Sequence, residues 1–268
     1  MNEKNYEYLK EQLKNTGFGD TFNADLANKM SQGAPEFQLA QKKTFGKDDV
    51  IATLHFRKGN DSDMYFFNRY DLQLLNNKQE LKARQMFYIN KGSSITLKEG
   101  YNLLEGRAVH KILTNKQEEK YGAWLQLDFK STTQNGNYEI KQYHQNFGYS
   151  LEKILAKYPI KELSGEQSKQ QLIKSLERGN LQSATFAIAG KEEKLFITPN
   201  VAFKTLSAYN QAGQRVSLKD LFQNQEQSVK QEQKQEQAEK MSPKETKAMK
   251  QEEDKTPKKA KKQRSVQK

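Results

Sequence analysis

ITLKEGYNLLEGRAVHKILTNKQEEKYGAWLQLDF, residues 95–129, is the most clearly marked stretch of the sequence. Thr96, with Glu99 three positions later, matches a capping box, in which side chains satisfy two backbone N–H groups at the start of a helix. Apolar residues then recur at helical spacing. Gly106 predicts the end of that helix, because glycine adopts the left-handed conformation without Cβ strain. An alternating strand over residues 121–129 follows, so the stretch predicts a helix that leads into a sheet.

The chain before this stretch changes its periodicity once. Residues 1–14 and 21–31 carry apolar side chains at helical spacing, and glycines follow both segments. From Glu36 onward, apolar and polar residues alternate, which is typical of strands with one buried face. Four strands are predicted, over residues 37–45, 50–57, 64–75 and 81–89. Short polar turns between them predict an antiparallel meander that the neighbouring helices cover on one face.

The chain after this stretch contains further hairpin and helix signals. Asn135-Gly136 predicts a tight turn in which both residues have positive φ, and therefore a hairpin. Ser150 predicts the start of one helix, and Ser164, with Gln167 in a capping-box position, predicts the start of another. Three strands are predicted after these helices, over residues 182–188, 194–198 and 203–209.

Two segments of the chain resemble one another. Leu-Leu-Glu-Gly at 103–106 and Leu-Glu-Arg-Gly at 176–179 each end a predicted helix. Extended chain, a Glu-Glu-Lys turn at 118–120 or 192–194, and an alternating strand follow in both cases. Duplication of a helix–glycine–hairpin unit would explain the similarity. A chance match in a chain rich in lysine and glutamate explains it equally well, so both explanations stay open.

These patterns predict an α+β fold in three segments. Residues 1–105 are expected to form a helical hairpin, a four-stranded antiparallel meander and a covering helix, and residues 106–222 an α+β domain of helix–hairpin units. Residues 223–268 form a charged tail with thirteen Lys or Arg, eight Asp or Glu and ten Gln. The few apolar residues of the tail cannot offset the entropy lost on ordering, so the tail is predicted to be disordered.

The charge balance favours a polyanionic partner. The chain carries a formal net charge of +12 at pH 7, of which the tail contributes +5 and residues 1–222 contribute +7. A basic surface concentrates polyanions such as nucleic acid near the protein. A basic protein without such a partner is the alternative interpretation.

Composition also excludes several classes of function. The chain has no cysteine, so disulfides, thiolate nucleophiles and zinc-thiolate sites are all excluded. The N-terminal residues lack the apolar core of a signal peptide, and no later segment approaches the length of an apolar membrane span. The sequence therefore predicts a cytoplasmic protein that does not enter a membrane.

No catalytic, metal or cofactor site is predicted. His55, His110 and His144 fall in different predicted strands or extended segments, whereas a metal site requires several ligands to converge. The sequence contains neither a glycine-rich phosphate loop nor the Gly-x-Ser-x-Gly turn of a serine nucleophile. These absences favour a nonenzymatic role.

Two segments have the residues of a polyanion-binding surface. Six cations near the C-terminus have no acidic residue among them and are predicted to contact phosphates without sequence preference, although a solubilising tail is the alternative. They are Lys255, Lys258, Lys259, Lys261, Lys262 and Arg264. Trp124, Lys141 and Tyr143 form the second set, because aromatic rings interleaved with cations stack bases and hold a nucleic-acid backbone. Alternation places Trp124 opposite the apolar face of its strand, whereas burial beneath a following helix is the competing interpretation.

Three segments, together with the charged tail, resemble a known family. They are ITLKEGYNLLEGRAV (95–109), YGAWLQLDF (121–129) and YPIKELSGEQSKQQLIKSLERGNLQSATF (158–186). The family they resemble comprises proteins of unknown function encoded on conjugative and integrative mobile elements of Bacteroidota, with repeated helix, Leu-x-x-Gly, strand units. The resemblance covers residues 1–220 and implies a setting among DNA-processing proteins. It implies no activity and no site residues, because the family has neither established.

Charge and resemblance together predict the function. The chain is expected to be a nonenzymatic accessory protein of a mobile element that binds DNA or RNA weakly and mostly nonspecifically. The alternative is a protein-interaction adaptor that docks a DNA-processing partner through a sheet edge or the Trp124 face, with the tail as a tether.

Overall fold

Two helices begin the chain in the computed structural model, which describes residues 1–90 and 92–222. Helix α1 spans Glu3–Asn15, and the side chain of Asn2 caps it by accepting a hydrogen bond from the backbone N–H of Asn5. Helix α2 spans Asn23–Gln32 and ends at Gly33, which has a φ of 72°. Both helices contribute leucines to the hydrophobic core, as their apolar spacing predicts.

The first sheet is an antiparallel four-stranded sheet in the order β1-β2-β3-β4. Its strands are β1 (Glu36–Phe45), β2 (Asp48–Lys58), β3 (Tyr65–Leu75) and β4 (Leu81–Tyr88). Side chains alternate between buried and accessible along each strand, because successive residues point to opposite faces. The buried set packs with the helices in one core. The other side of the sheet, which we call the open face, remains accessible.

Helix α3, Leu97–Leu104, begins with the predicted capping box. Thr96 Oγ1 accepts from the backbone N–H of Glu99, and a Glu99 carboxylate oxygen accepts from the backbone N–H of Thr96 at 2.9 Å. Gly106 follows the helix with a φ of 79°. The helix contacts β3 and β4, and a Cβ at Gly100 would lie 3.0 Å from Leu72, so this side of the helix fits closely against the sheet.

The second sheet has the order β5-β6-β7, with β5 at Val109–Thr114, β6 at Lys120–Thr132 and β7 at Tyr138–His144. The prediction for the Asn135-Gly136 turn was wrong in one respect. Only Gly136 has positive φ, at 72°, because the loop between Thr133 and Asn137 contains three residues. A three-residue hairpin loop needs a single left-handed residue, whereas a two-residue primed turn needs two.

Residues on both sides of the predicted boundary at 105 share one core. Val109, Ala123, Leu125 and Leu127 of the second sheet pack in the same cluster as the first sheet and its helices. Contacts between residues group 1–218 into one compact unit. The core of the first sheet therefore extends past residue 105 into the second sheet.

The third sheet has the order β11-β10-β9-β8 and follows two helices. The helices are α4 (Leu151–Leu155) and α5 (Glu166–Glu177), and the strands are β8 (Gln182–Ile188), β9 (Lys191–Asn200), β10 (Thr205–Tyr209) and β11 (Arg215–Val216). Ser150 caps α4 as predicted. Helix α5 begins one residue later than predicted, because Gly165 is its N-cap and no side chain caps it. The α+β class is confirmed, and the described residues form three antiparallel sheets.

The ends of α3 and α5 meet in a closely fitted junction. Gly106 and Gly179 have φ values of 79° and 75°, and each glycine ends its helix with the same pair of backbone hydrogen bonds. The buried side chain of Asn102 donates to the carbonyl of Arg178 at 2.6 Å, and Arg107 Nε donates to the carbonyl of Gly179 at 2.9 Å. The helix–glycine segments of the two similar units are therefore in direct contact.

The Glu-Glu-Lys turn predicted for the second unit was wrong. Residues 192–194 lie inside strand β9, and the turn falls at Ala189 and Gly190, which both have positive φ. Residues 118–120 do lie at the β5–β6 turn. Both units are nevertheless a helix, a left-handed glycine and a β-hairpin. Duplication of the unit stays a prediction.

Candidate functional site

Trp124 does not present its ring to solvent. The residue is 7% exposed, and its ring contacts the edge of Tyr149 at a centroid distance of 5.4 Å and the ring of His110 at 5.3 Å. Tyr149 comes from the segment that follows β7. The alternating pattern of the strand correctly predicts that Trp124 lies on the face opposite the apolar residues. It does not predict whether a later segment of the chain covers that face. Of the two interpretations of Trp124, burial is correct and the outward orientation is wrong: Tyr149, just before α4, packs on the ring, which is not available for base stacking.

Lys141 and Tyr143 lie on the same face of the second sheet as Trp124, because Tyr143 is its cross-strand neighbour. Lys141 Nζ lies 2.6 Å from an Asp128 carboxylate oxygen, and this hydrogen bond raises the pKa of Lys141 and lowers that of Asp128. Tyr143 packs against Phe147 at 4.8 Å. Lys141 is therefore already neutralised. The six predicted tail cations, Lys255, Lys258, Lys259, Lys261, Lys262 and Arg264, lie outside the described residues.

The three histidines lie on three different strands, His55 on β2, His110 on β5 and His144 on β7. His110 in β5 is partly buried; this burial lowers its pKa, whereas the carboxylate of Glu177 opposes the shift. His144 ends β7 and is exposed. Within residues 1–90 and 92–222, no three His, Asp or Glu side chains are arranged to hold a metal ion.

The open face of the first sheet carries a row of polar side chains that the sequence did not reveal. Gln38, His55, Arg69 and Tyr88 lie opposite one another on β1, β2, β3 and β4. Gln38 Nε2 lies 3.3 Å from His55 Nδ1, and His55 Nε2 lies 2.5 Å from an oxygen of Asp71. Both imidazole nitrogens are thus engaged by protein groups. These two contacts hold the histidine in place.

A β-bulge places Arg69 on this face. The pairing of β2 with β3 shifts between His55 and Phe56, so that Asn68 is an extra residue on β3. Phe66 and Arg69 therefore point to the same side although they are three positions apart. Without the bulge, strict alternation would place Asn68 and Tyr70 on the same face as Phe66, and Arg69 on the opposite face. Sequence periodicity therefore did not predict this site.

Two cross-strand pairs combine a guanidinium with an aromatic ring. Arg57 lies opposite Phe66, and Arg69 lies opposite Tyr88. Phe66 and Tyr88 are 48% and 55% exposed. A groove of about 620 Å³ runs along this part of the sheet, and a second of about 360 Å³ continues it toward Arg84. The guanidinium of Arg84 lies beside Gly136 at the tip of the β6–β7 hairpin.

The arginines of the open face form no ion pair with the described residues. In the part of the chain that the structure describes, Arg57, Arg69 and Arg84 have no carboxylate oxygen within 4.0 Å, and the enclosed Nε of Arg69 has no acceptor. Two carboxylates on this face are engaged elsewhere. Asp71 bonds His55, and Asp49 accepts from Lys42, Thr44 and Gln79, which lower its pKa.

Glu36 is the cross-strand neighbour of Arg57, but no oxygen of its carboxylate lies within 4.0 Å of the guanidinium. The open face is therefore weakly basic, with guanidinium donors and exposed rings side by side. Guanidinium groups and exposed rings have the chemistry to contact anions and planar groups.

Comparison with protein-family models, curated proteins and solved structures finds no match to this chain, so the site is interpreted from its own geometry. Among the helices of the described residues, none is both long enough and apolar enough to cross a membrane.

Proposed function

We propose that the chain is a nonenzymatic accessory protein that binds single-stranded DNA or RNA weakly and mostly nonspecifically through the open face, with the lysine-rich tail adding phosphate contacts. The observation that carries the proposal is the adjacent pair of unpaired arginines, each opposite an exposed aromatic ring. The resemblance of the sequence to mobile-element proteins supports a setting beside DNA-processing machinery.

The chemistry of the open face fits a nucleic-acid strand. Guanidinium groups form paired hydrogen bonds with phosphate oxygens, and these contacts position a strand without reading its sequence. Exposed rings such as Tyr88 and Phe66 stack on unpaired bases of any kind. Bases of a duplex are already stacked and offer no free face, so single strands are favoured. The small number of unpaired cations favours weak binding.

Substitution of the three arginines tests this proposal. We expect the combined Arg57→Ser, Arg69→Ser and Arg84→Ser protein to bind a short single-stranded oligonucleotide about 30-fold more weakly, on the order of 0.7 kcal/mol per lost phosphate contact. The salt dependence of log K should become shallower by about 2, because each single-strand phosphate contact contributes about 0.7. Fluorescence anisotropy of the labelled oligonucleotide between about 50 and 200 mM salt measures both quantities.

A control protein removes the same charge elsewhere. Lys4, Lys14 and Lys116 are exposed and lie away from the open face, and within residues 1–90 and 92–222 none has a carboxylate oxygen within 4.0 Å. Their replacement by serine keeps the net charge of the arginine variant. Equal affinities of the two triple variants would contradict binding at the open face, and absence of any binding by the native protein would contradict nucleic-acid binding itself.

A protein-interaction adaptor is the second candidate, and a different surface favours it. Phe203 is 80% exposed, which is unusual for a large apolar side chain. The next residue, Lys204, has a φ of 51°, and its ammonium lies 4.7 Å from the centre of the Phe147 ring. An exposed ring next to a fixed cation has the composition of an interface hot spot.

Substitution of Phe203 separates the adaptor from the nucleic-acid binder. If the adaptor function holds, Phe203→Ser should lower the amount of a DNA-processing partner from the same element that co-purifies after nuclease treatment, about tenfold for an interface hot spot. Leu181→Ser is the control, since Leu181 is also an exposed apolar residue, at 43%. Equal recovery of the partner with both variants would rule out Phe203 as the docking residue.

A further inference from the structure

Where β1 lies beside α3, the ammonium group of a lysine contacts two stacked aromatic rings. The rings of Phe45 and Tyr101 lie 4.7 Å apart at an angle of 25°. Lys98 Nζ lies 4.3 Å from the centre of the Phe45 ring and 4.5 Å from that of Tyr101. The ring faces attract the ammonium, because their quadrupoles are negative at the centre. This arrangement holds the cation in one position beside the α3 end of the first sheet.

Two further cations lie near the same rings. Lys43 Nζ lies 5.6 Å from the centre of Phe45, and Arg107 Cζ lies 5.1 Å from that of Tyr101. The three cations are close enough that Arg107 and Lys43 both lower the pKa of Lys98, although partial burial of the ammonium is the larger cause. Three like charges converge on one pair of rings, which is unfavourable unless an anion joins them.

The nearby carboxylates are bound to other cations. Glu105 lies 2.6 Å from Lys82 and only 3.7 Å from Arg107, and Asp48 is also bound to Lys82. Glu99 pairs with Lys111 at 3.1 Å. Over the described ranges 1–90 and 92–222, no carboxylate oxygen lies within 4.0 Å of Lys43 or Lys98. We call Lys43, Lys98 and Arg107 the three-cation cluster. Its two lysines are unpaired, whereas Arg107 already donates to the Gly179 carbonyl and to Asn102 Oδ1 and lies 3.7 Å from Glu105.

We infer that the three-cation cluster binds a phosphate group. The two unpaired ammonium groups offer more donors than a carboxylate can accept, whereas a phosphate dianion matches them in both charge and number of acceptor oxygens, with the Arg107 guanidinium beside them. The cluster lies on the side of the sheet that α3 contacts, opposite the open face. The inference therefore does not depend on the proposed function. The phosphate belongs either to a free phosphomonoester or to the backbone of a nucleic acid.

Titration of the native protein with inorganic phosphate tests the site directly. We expect a saturable shift of the Lys98 side-chain NMR resonances, measured against chloride at constant ionic strength. The pKa of Lys98, which starts below its ordinary value of 10.5, should rise when phosphate is bound, because the anion favours the charged amine. No saturable shift, or an unchanged pKa, would overturn the inference. This measurement uses no variant and does not depend on the folding of one.

Lys98→Met and Lys10→Met provide a matched comparison. Lys10 also lies over an aromatic ring, 5.0 Å from the centre of Tyr6, but Glu7 already neutralises it at 2.9 Å. We expect Lys98→Met to weaken phosphate binding about fivefold and Lys10→Met to leave it unchanged. Equal binding by both variants would overturn the inference.

Two probes identify the source of the phosphate. Glycerol 2-phosphate represents a free phosphomonoester, and an oligonucleotide without terminal phosphates represents a nucleic-acid backbone. If Lys98→Met weakens binding of glycerol 2-phosphate only, the site takes a free monoester. Weaker binding of the oligonucleotide makes the cluster a second backbone contact. If neither probe is affected, the site is not a phosphate site. If oligonucleotide binding is lost in the open-face arginine variant but not in Lys98→Met, the proposed function holds for the open face and this inference is decided by the phosphate probes alone.

Discussion

Gly179→Ala is expected to destabilise the protein by about 4 kcal/mol. A Cβ at this position would lie 2.8 Å from the carbonyl oxygen of Ala108 and 2.9 Å from Val109 Cγ2, so backbone must move to admit it. The φ of 75° adds about 1–2 kcal/mol, because left-handed backbone is unfavourable for any residue with a Cβ. The same movement breaks the hydrogen bond from Arg107 to the Gly179 carbonyl.

Gly106→Ala is the matched control for the steric part of that effect. Gly106 has nearly the same φ, 79°, and ends α3 with the same hydrogen bonds, but a Cβ there meets only Phe129, at 3.6 Å. We expect a loss of about 1–2 kcal/mol from backbone strain alone. Urea unfolding followed by the fluorescence of the buried Trp124 gives both free energies. If Gly179→Ala were no more destabilising than Gly106→Ala, the α3–α5 junction would not be a rigid contact.

Sequence periodicity predicted the elements of the fold because each depends on neighbours in the chain. The capping box at Thr96, the helix-ending glycines and the alternation of the strands are all local signals, and they located the helices and most strand bounds. Local signals do not predict the contact between the ends of α3 and α5. Asn102 and Arg178 meet only because two distant helices end at one place.

The candidate site depends on cross-strand register, which the sequence does not display. Arg69 reaches the open face because of a bulge, and its ring partner Tyr88 lies on another strand. Trp124 illustrates the same limit, since its strand pattern is correct but Tyr149 covers it from a later segment. Composition predicted a basic protein. Only the three-dimensional pairing shows which cations are neutralised, as Lys141 is, and which remain free.

Asn5 replaces a missing neighbour strand at the start of β3. Strand β4 pairs with β3 only from Arg69 onward, so this edge of Tyr65 has no strand partner. The side chain of Asn5, which is 2% exposed, donates to the Tyr65 carbonyl at 2.9 Å and accepts from the Tyr65 N–H at 2.7 Å. One side-chain amide therefore satisfies two buried backbone groups. The same contact fixes α1 against the sheet.

Asn5→Ala should lower the free energy of unfolding by about 3 kcal/mol, since each orphaned buried group contributes about 1–3 kcal/mol. Asn2→Ala is the control on the same helix and removes the N-cap bond, worth about 1 kcal/mol, together with an exposed hydrogen bond to Asp63. Amide hydrogen exchange gives a readout specific to the strand edge. The Tyr65 amide should be protected in the native protein and in Asn2→Ala but exchange quickly in Asn5→Ala. Equal stability of the two variants with unchanged Tyr65 exchange would show that water replaces Asn5 without loss.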